Sequence, residues 1–123
     1  MGRMKMLALC GLFATITGCS LFMAKEARYL MSAKNKATQA EVNEALGKPV
    51  ETKTMPSGEV LWVYQVRDLQ PGNRMSVPGV WCDEYVLTFD PKGTLRDWIH
   101  RSYFHGGEVM PTYCVPDGFS AKP

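Results

Sequence analysis

A chain of 123 residues allows one small domain, and 46% hydrophobic with 21% charged residues excludes wholesale disorder. The net charge of +2 comes from 14 Lys and Arg against 12 Asp and Glu. Two of those cations, Arg3 and Lys5, lie in the first 18 residues, which carry no acid, so the rest of the chain is neutral, without the overall field that draws in nucleic acid or anionic lipid.

Residues 1–18 read as a lipoprotein signal peptide. Gly2-Arg3-Met4-Lys5 is a basic head, and Met6 to Ile16 is an apolar or small run. Eleven residues are too few for the roughly 20 that a membrane-spanning helix needs, but they suit a signal core. The run ends in Ile16-Thr17-Gly18-Cys19, which has the form of a lipobox: an aliphatic residue, two small residues, then cysteine. A thiol is the nucleophile for a thioether to diacylglycerol, and small residues before it admit the signal peptidase. Cleavage is therefore expected between Gly18 and Cys19, with covalent lipid on Cys19 as the only attached group. Cys10 is a poorer acceptor because bulky Leu9 precedes it. An ordinary secretory signal or a buried core helix is the competing interpretation. Ser20 follows the cysteine; by resemblance to enterobacterial lipoproteins, the absence of Asp there favours the outer membrane, on its periplasmic face.

Residues 19–36 form a lipidated tether or first helix, with Leu21, Phe22, Met23, Ala24, Ala27, Leu30 and Met31 partly at helical spacing. Thr38-Gln39-Ala40-Glu41 fits a capping box, in which the Thr hydroxyl and the Glu carboxylate each satisfy a free backbone N–H. Ala40, Val42, Ala45 and Leu46 give an incomplete apolar stripe, Gly47 ends the helix and Pro49 forbids its return. Two turns do not survive alone, so this helix must dock on a surface.

Three strands supply that surface. Glu59 to Arg67 alternates Val60, Trp62, Tyr64 and Val66 with Leu61 and Val63, behind a Pro56-Ser57-Gly58 turn. Val80 to Asp90 sets Cys82, Glu84, Val86 and Thr88 opposite Tyr85, Leu87 and Phe89. Pro91-Lys92-Gly93 then turns the chain into Leu95 to Phe104. The expected fold is α+β: one or two short N-terminal helices packed on a three-stranded antiparallel β-meander. Its Trp and Tyr residues read as core and interface filler. The polar loop Asp68 to Pro78 is long for a hairpin connection, and its Arg74 and Met75 are the candidate partner-binding residues.

Residues 106–123 are a Pro- and Gly-rich tail. With Cys10 removed and Cys19 lipidated, Cys82 and Cys114 remain as an even pair in an oxidising compartment, so a disulfide is expected. Closing a loop of about 33 residues is worth roughly 3–4 kcal/mol on the chain-entropy model. A metal site built from these two cysteines with His100 and His105 competes, but it lacks close ligand spacing. Asp83, Glu84 and Asp90 read as solvated. No phosphate-binding glycine loop, GxSxG elbow or HExxH motif occurs, so no catalytic, cofactor-binding or metal-ligating residue is assigned.

Between Thr38 and Asp97 the chain resembles the SmpA/OmlA family of BamE-like outer-membrane lipoproteins. The resemblance is carried by Thr38-Gln39-Ala40-Glu41-Val42, Ala45-Leu46-Gly47-Lys48-Pro49, Glu59-Val60-Leu61-Trp62-Val63-Tyr64 and Leu87-Thr88-Phe89-Asp90-Pro91-Lys92-Gly93-Thr94-Leu95. It covers about half of the chain and assigns residues 37–105 to an SmpA/OmlA-like domain. It implies an ααβββ fold and a non-enzymatic, protein-binding scaffold role in assembling or maintaining the envelope. Envelope proteins, including the β-barrel assembly machinery, are the partners it implies. Lys36-Ala37 stand where the family usually has Gly-Met, and the Cys82–Cys114 pair and the tail lie outside the family's usual core. A ligand-binding or inhibitor module on a lipid anchor, with Asp68–Pro78 as its reactive arm, is the alternative from another class.

Overall fold

Two-residue alternation of large apolar side chains yields three long strands, and a fourth strand arises without it. The computed structural model describes residues 23–107 and 113–119. Along the chain come α1 (Lys25–Ala33), α2 (Gln39–Leu46), β1 (Glu51–Thr54), β2 (Val60–Gln70), β3 (Gly79–Phe89) and β4 (Leu95–Gly106). The strands form one antiparallel sheet in the order β1-β2-β3-β4. The architecture is α+β, with two short helices and four strands where three were expected.

The additional strand, β1, pairs Glu51 with Val63 and Thr54 with Val60. Its four residues are polar and exposed, so it contributes no apolar alternation to read. Charged Glu51 and Lys53 suit a sheet edge, where charge discourages pairing with another chain. The Pro56-Ser57-Gly58 turn joins β1 to β2. Gly58 there has φ of 90°, and its N–H donates to the Met55 carbonyl at 2.9 Å.

Tyr64, Tyr85, Leu87, Phe89 and Leu95 leave the sheet on one side and meet Ala27, Leu30, Ala33, Ala37 and Val42 from the helical segment. Trp62 packs on Phe89 with ring centroids 4.8 Å apart. Burying each Leu or Phe here is worth about 1.5–3 kcal/mol. β4 joins this core through a bulge: Thr88 pairs with Asp97, but Phe89 pairs with Leu95. The extra residue lets Leu95 and Trp98, three apart, face the same side.

In α1 the buried residues are Ala27, Leu30 and Ala33, whereas Met31 is exposed. After α1 the chain is stitched to β4. The Asn35 N–H donates to the Leu95 carbonyl at 2.7 Å, and the Leu95 N–H donates to the Ala37 carbonyl at 2.9 Å. Thr38 then caps α2, its hydroxyl oxygen accepting from the Glu41 N–H at 3.3 Å. The other half of the expected box differs, since the Glu41 carboxylate accepts from the Thr38 hydroxyl and the Thr38 backbone bridges to Thr94. Val42 is fully buried and Leu46 partly so, while Ala40 and Ala45 face solvent. Gly47, at φ of 82°, ends the helix, and the Tyr64 hydroxyl donates to its carbonyl at 2.9 Å. Burial of this phenol pushes its pKa up to about 12, so it stays a donor across the physiological range.

Asp90 organises the β3–β4 turn. Its carboxylate accepts from the N–H groups of Thr94 and Lys92 at 2.9 and 3.0 Å and from Arg96 Nε at 2.7 Å. The Thr94 N–H foremost, with Arg96, holds its carboxyl below the ordinary value of 3.8. A depressed carboxylate stabilises the fold above its unfolded pKa, and that stability is lost as pH falls through the folded value.

Two measurements check this account. Leu30→Ala should cost about 2–5 kcal/mol in urea unfolding, whereas Met31→Ala should stay within about 0.5 kcal/mol. Asp90→Asn should melt below the parent protein at neutral pH, with the gap closing as pH drops beneath 3.8; a gap independent of pH would contradict the assignment.

Candidate functional site

Two features remain after the core is accounted for: the tail on the sheet's second face and the β2–β3 tip. Because side chains alternate, Cys82 and Glu84 leave β3 on the side opposite Tyr85 and Leu87. Residues 113–119 cover them. The Cys82–Cys114 disulfide is formed, with Cα atoms 5.3 Å apart. Val115 packs beside it. His105, also buried, shares a 2.7 Å hydrogen bond between its Nε2 and the Cys114 carbonyl.

Glu84 is only 1% exposed, a correction to its sequence-based reading as a solvated carboxylate. Its Oε1 accepts from the Phe119 N–H at 2.9 Å, and across the strand pair Arg101 donates to the Asp117 carbonyl at 2.8 Å. A Cβ at position 118 would lie 2.8 Å from the Glu84 carboxylate, so only glycine lets the tail approach this closely. Glu84, Val86, Ile99, Arg101, Asp117 and Phe119 line a depression of about 80 Å³. That holds a few waters; pockets for small-molecule ligands run to several hundred Å³.

On the helix side, His100 Nε2 lies 2.7 Å from Asp83 Oδ1, and the ring stacks on Tyr85 at 4.4 Å with planes 7° apart. Burial, helped by Asp83, Glu26 and Asp68, pushes the Tyr85 phenol up to about 12. It therefore stays neutral near pH 7 and serves as a stacking platform.

β2 and β3 pair as far as Gln70 and Gly79, so Asp68 to Gln70, expected in the loop, belong to a strand. The connection is shortened to residues 71–78, and its shape is set internally. Asn73 Oδ1 accepts from the N–H groups of Met75 and Ser76 at 2.7 and 2.9 Å, and Ser76 Oγ donates to the Pro71 carbonyl at 3.2 Å. Gln70 ties the base, donating to the Val77 carbonyl at 2.6 Å and accepting from Trp81 Nε1 at 2.8 Å. Phe104 lies against Trp81 with centroids 5.0 Å apart and also covers Gly79, where a Cβ would fall 2.5 Å from the ring.

Of the residues singled out from the sequence, the fold joins Cys82 to Cys114 and sets Arg74 and Met75 on the exposed tip. Gly18 and Cys19 lie outside the described residues. The competing metal set is dispersed: both sulfurs are in the disulfide, His105 is on the Cys114 carbonyl and His100 projects from the other face. Among the described residues no group of three or more His, Cys, Asp or Glu is arranged to hold a metal ion. Sequence reasoning missed Glu84 as a tail anchor and Gln70 with Trp81 as a brace. Neither has a local signal, since each is defined by a partner at least 11 residues away.

Comparison of the chain with the profiles of known families, with curated proteins and with solved structures finds no match.

Replacing both Cys82 and Cys114 by Ala should cost about 3–4 kcal/mol in urea unfolding and strip the Phe119 amide of protection from hydrogen exchange. Retained protection at Phe119 would show that the disulfide is not what holds the tail.

Proposed function

We propose that this chain is a lipid-anchored, non-enzymatic scaffold on the periplasmic face of the outer membrane, binding protein in envelope assembly or maintenance. The observation that carries this reading is the lipobox Ile16-Thr17-Gly18-Cys19 closing an 11-residue apolar run behind a basic head. It is supported by the Cys82–Cys114 disulfide, a bond that persists in oxidising compartments such as the periplasm. Among the described residues no helix is long and apolar enough to cross a membrane, and acylation of Cys19 supplies attachment without one. Two helices followed by an antiparallel meander is the element order that the SmpA/OmlA resemblance implies, with β1 as an addition to its three strands. The surfaces suited to a protein partner are the outer edge of β4 and the exposed Ile99 and Tyr103 on it.

Intact-mass measurement on protein from its bacterial host should show loss of residues 1–18 and gain of acyl chains on Cys19. Cys19→Ala should leave an uncleaved, unacylated chain that no longer fractionates with the outer membrane. Deleting the gene should lower outer-membrane barrel proteins and raise sensitivity to detergent and vancomycin; unchanged levels and sensitivity would refute the scaffold role.

A further inference from the structure

The β2–β3 tip holds apolar side chains out of the molecule at high exposure. Met75 is 94% exposed, Leu69 77% and Val77 64%, with Trp81 at 40% beside them. This is not a collapsed loop. Asn73, Ser76 and Gln70 satisfy its backbone groups from within, which keeps Met75 and Val77 outward. Exposing these side chains to water gains nothing for the fold, since folding would bury them if it could.

Two observations bear on what these side chains meet. From Leu69 to Cys82 the one charged residue is Arg74, and the exposed apolar side chains are interspersed with Gln70, Asn73 and Ser76, while exposed Asp68 pairs with Trp81 at the base of the tip. That is the composition of a segment seated among phospholipid headgroups, with Trp at the same level. The second observation is the direction of the chain that leads to Cys19. The C-terminal end of α1 sits at the β3–β4 turn, where the Asn35 N–H meets the Leu95 carbonyl. From there α1 runs toward the β2–β3 end, and Glu26 near its start acts on the Tyr85 hydroxyl midway along β3. Met23 still packs on the core. The helix rises about 13 Å, and the four residues from Met23 back to Cys19 span at most about 14 Å more. β3 is about 33 Å long from its turn end to the tip. The described chain therefore begins, at Met23, on a helix whose start points toward the tip end of the sheet, and Cys19 is four residues further back.

We propose that the β2–β3 tip is a second membrane contact, with Leu69, Met75 and Val77 in the interfacial layer of the bilayer that holds the Cys19 lipid, Trp81 at the headgroup level and Arg74 among the phosphates. This rests on the lipid-anchor reading. The tip alone binds weakly; joined to the anchor, it acts at high effective concentration and fixes the orientation of the domain. The domain then stands with its β3–β4 turn pointing away from the membrane and the β4 edge upright and open to the periplasm.

The test uses the full-length lipidated protein carrying Met75→Cys, in which the new cysteine is the one free thiol once Cys19 is acylated and Cys82 is bridged to Cys114. It is labelled with a polarity-sensitive fluorophore and reconstituted into phosphatidylcholine vesicles with or without brominated acyl chains. Lys92→Cys, at the opposite turn, is the control. The expected result is blue-shifted emission at position 75 that is largely lost on brominated lipid, with position 92 unaffected. Protein that floats with the vesicles but shows no bromine quenching at position 75 overturns the tip contact and leaves the anchor intact. A blue shift that grows with protein density, without bromine quenching, puts a second copy at the tip and likewise overturns it. Protein that carries no lipid and does not float overturns both readings.

Discussion

Tyr85, Leu87 and Phe89 leave β3 on one side while Cys82 and Glu84 leave it on the other, and both sets are buried. A single sheet covers neither of its own faces, so a strand buried on both sides demands two lids. Helices α1 and α2 form the first lid and residues 113–119 the second. The rest of the architecture follows from this. The helices are too short to persist alone and are held by the sheet they cover. Residues 113–119 have almost no regular structure and are held by the disulfide, by Glu84 and His105, both buried, and by Arg101.

The two lids are fastened by different physics. On the helix side the attachment is mostly apolar contact, sharpened by the backbone stitch through Asn35, Ala37 and Leu95 and by the Tyr64 hydroxyl on Gly47. On the tail side little apolar area is available, so directional and covalent bonds substitute for it. A carboxyl group as buried as Glu84 is tolerated where a donor reaches it, here the Phe119 N–H of the tail. The disulfide joins β3 to the same segment whose Phe119 N–H meets Glu84.

The third feature, the β2–β3 tip, is shaped by its own hydrogen bonds rather than by either lid. Its independence lets it project apolar groups outward without disturbing the core. On the proposed reading, the molecule divides along its length, with membrane attachment at the tip end and the open sheet edge available to proteins.

Much of the fold was legible in the sequence. Strand alternation from Val60, Tyr85 and Leu95 onward, the Thr38 cap, the Gly47 stop and the Pro91-Lys92-Gly93 turn all carry local signals, because each depends on residues within a few positions of one another. The Cys82–Cys114 pairing was expected from the sequence, and the bond is formed. Three things were decided only by tertiary structure. β1 is a strand because β2 offers it an edge, not because Glu51-Thr52-Lys53-Thr54 has a β pattern. Glu84 is buried because the tail returns 35 residues later to cover it. Ala40 and Ala45 are exposed because α2 turns only Val42 and Leu46 to the core, a choice of face that an incomplete apolar stripe does not specify. In each case the deciding partner is distant along the chain, and no local propensity records where such a partner will come to rest.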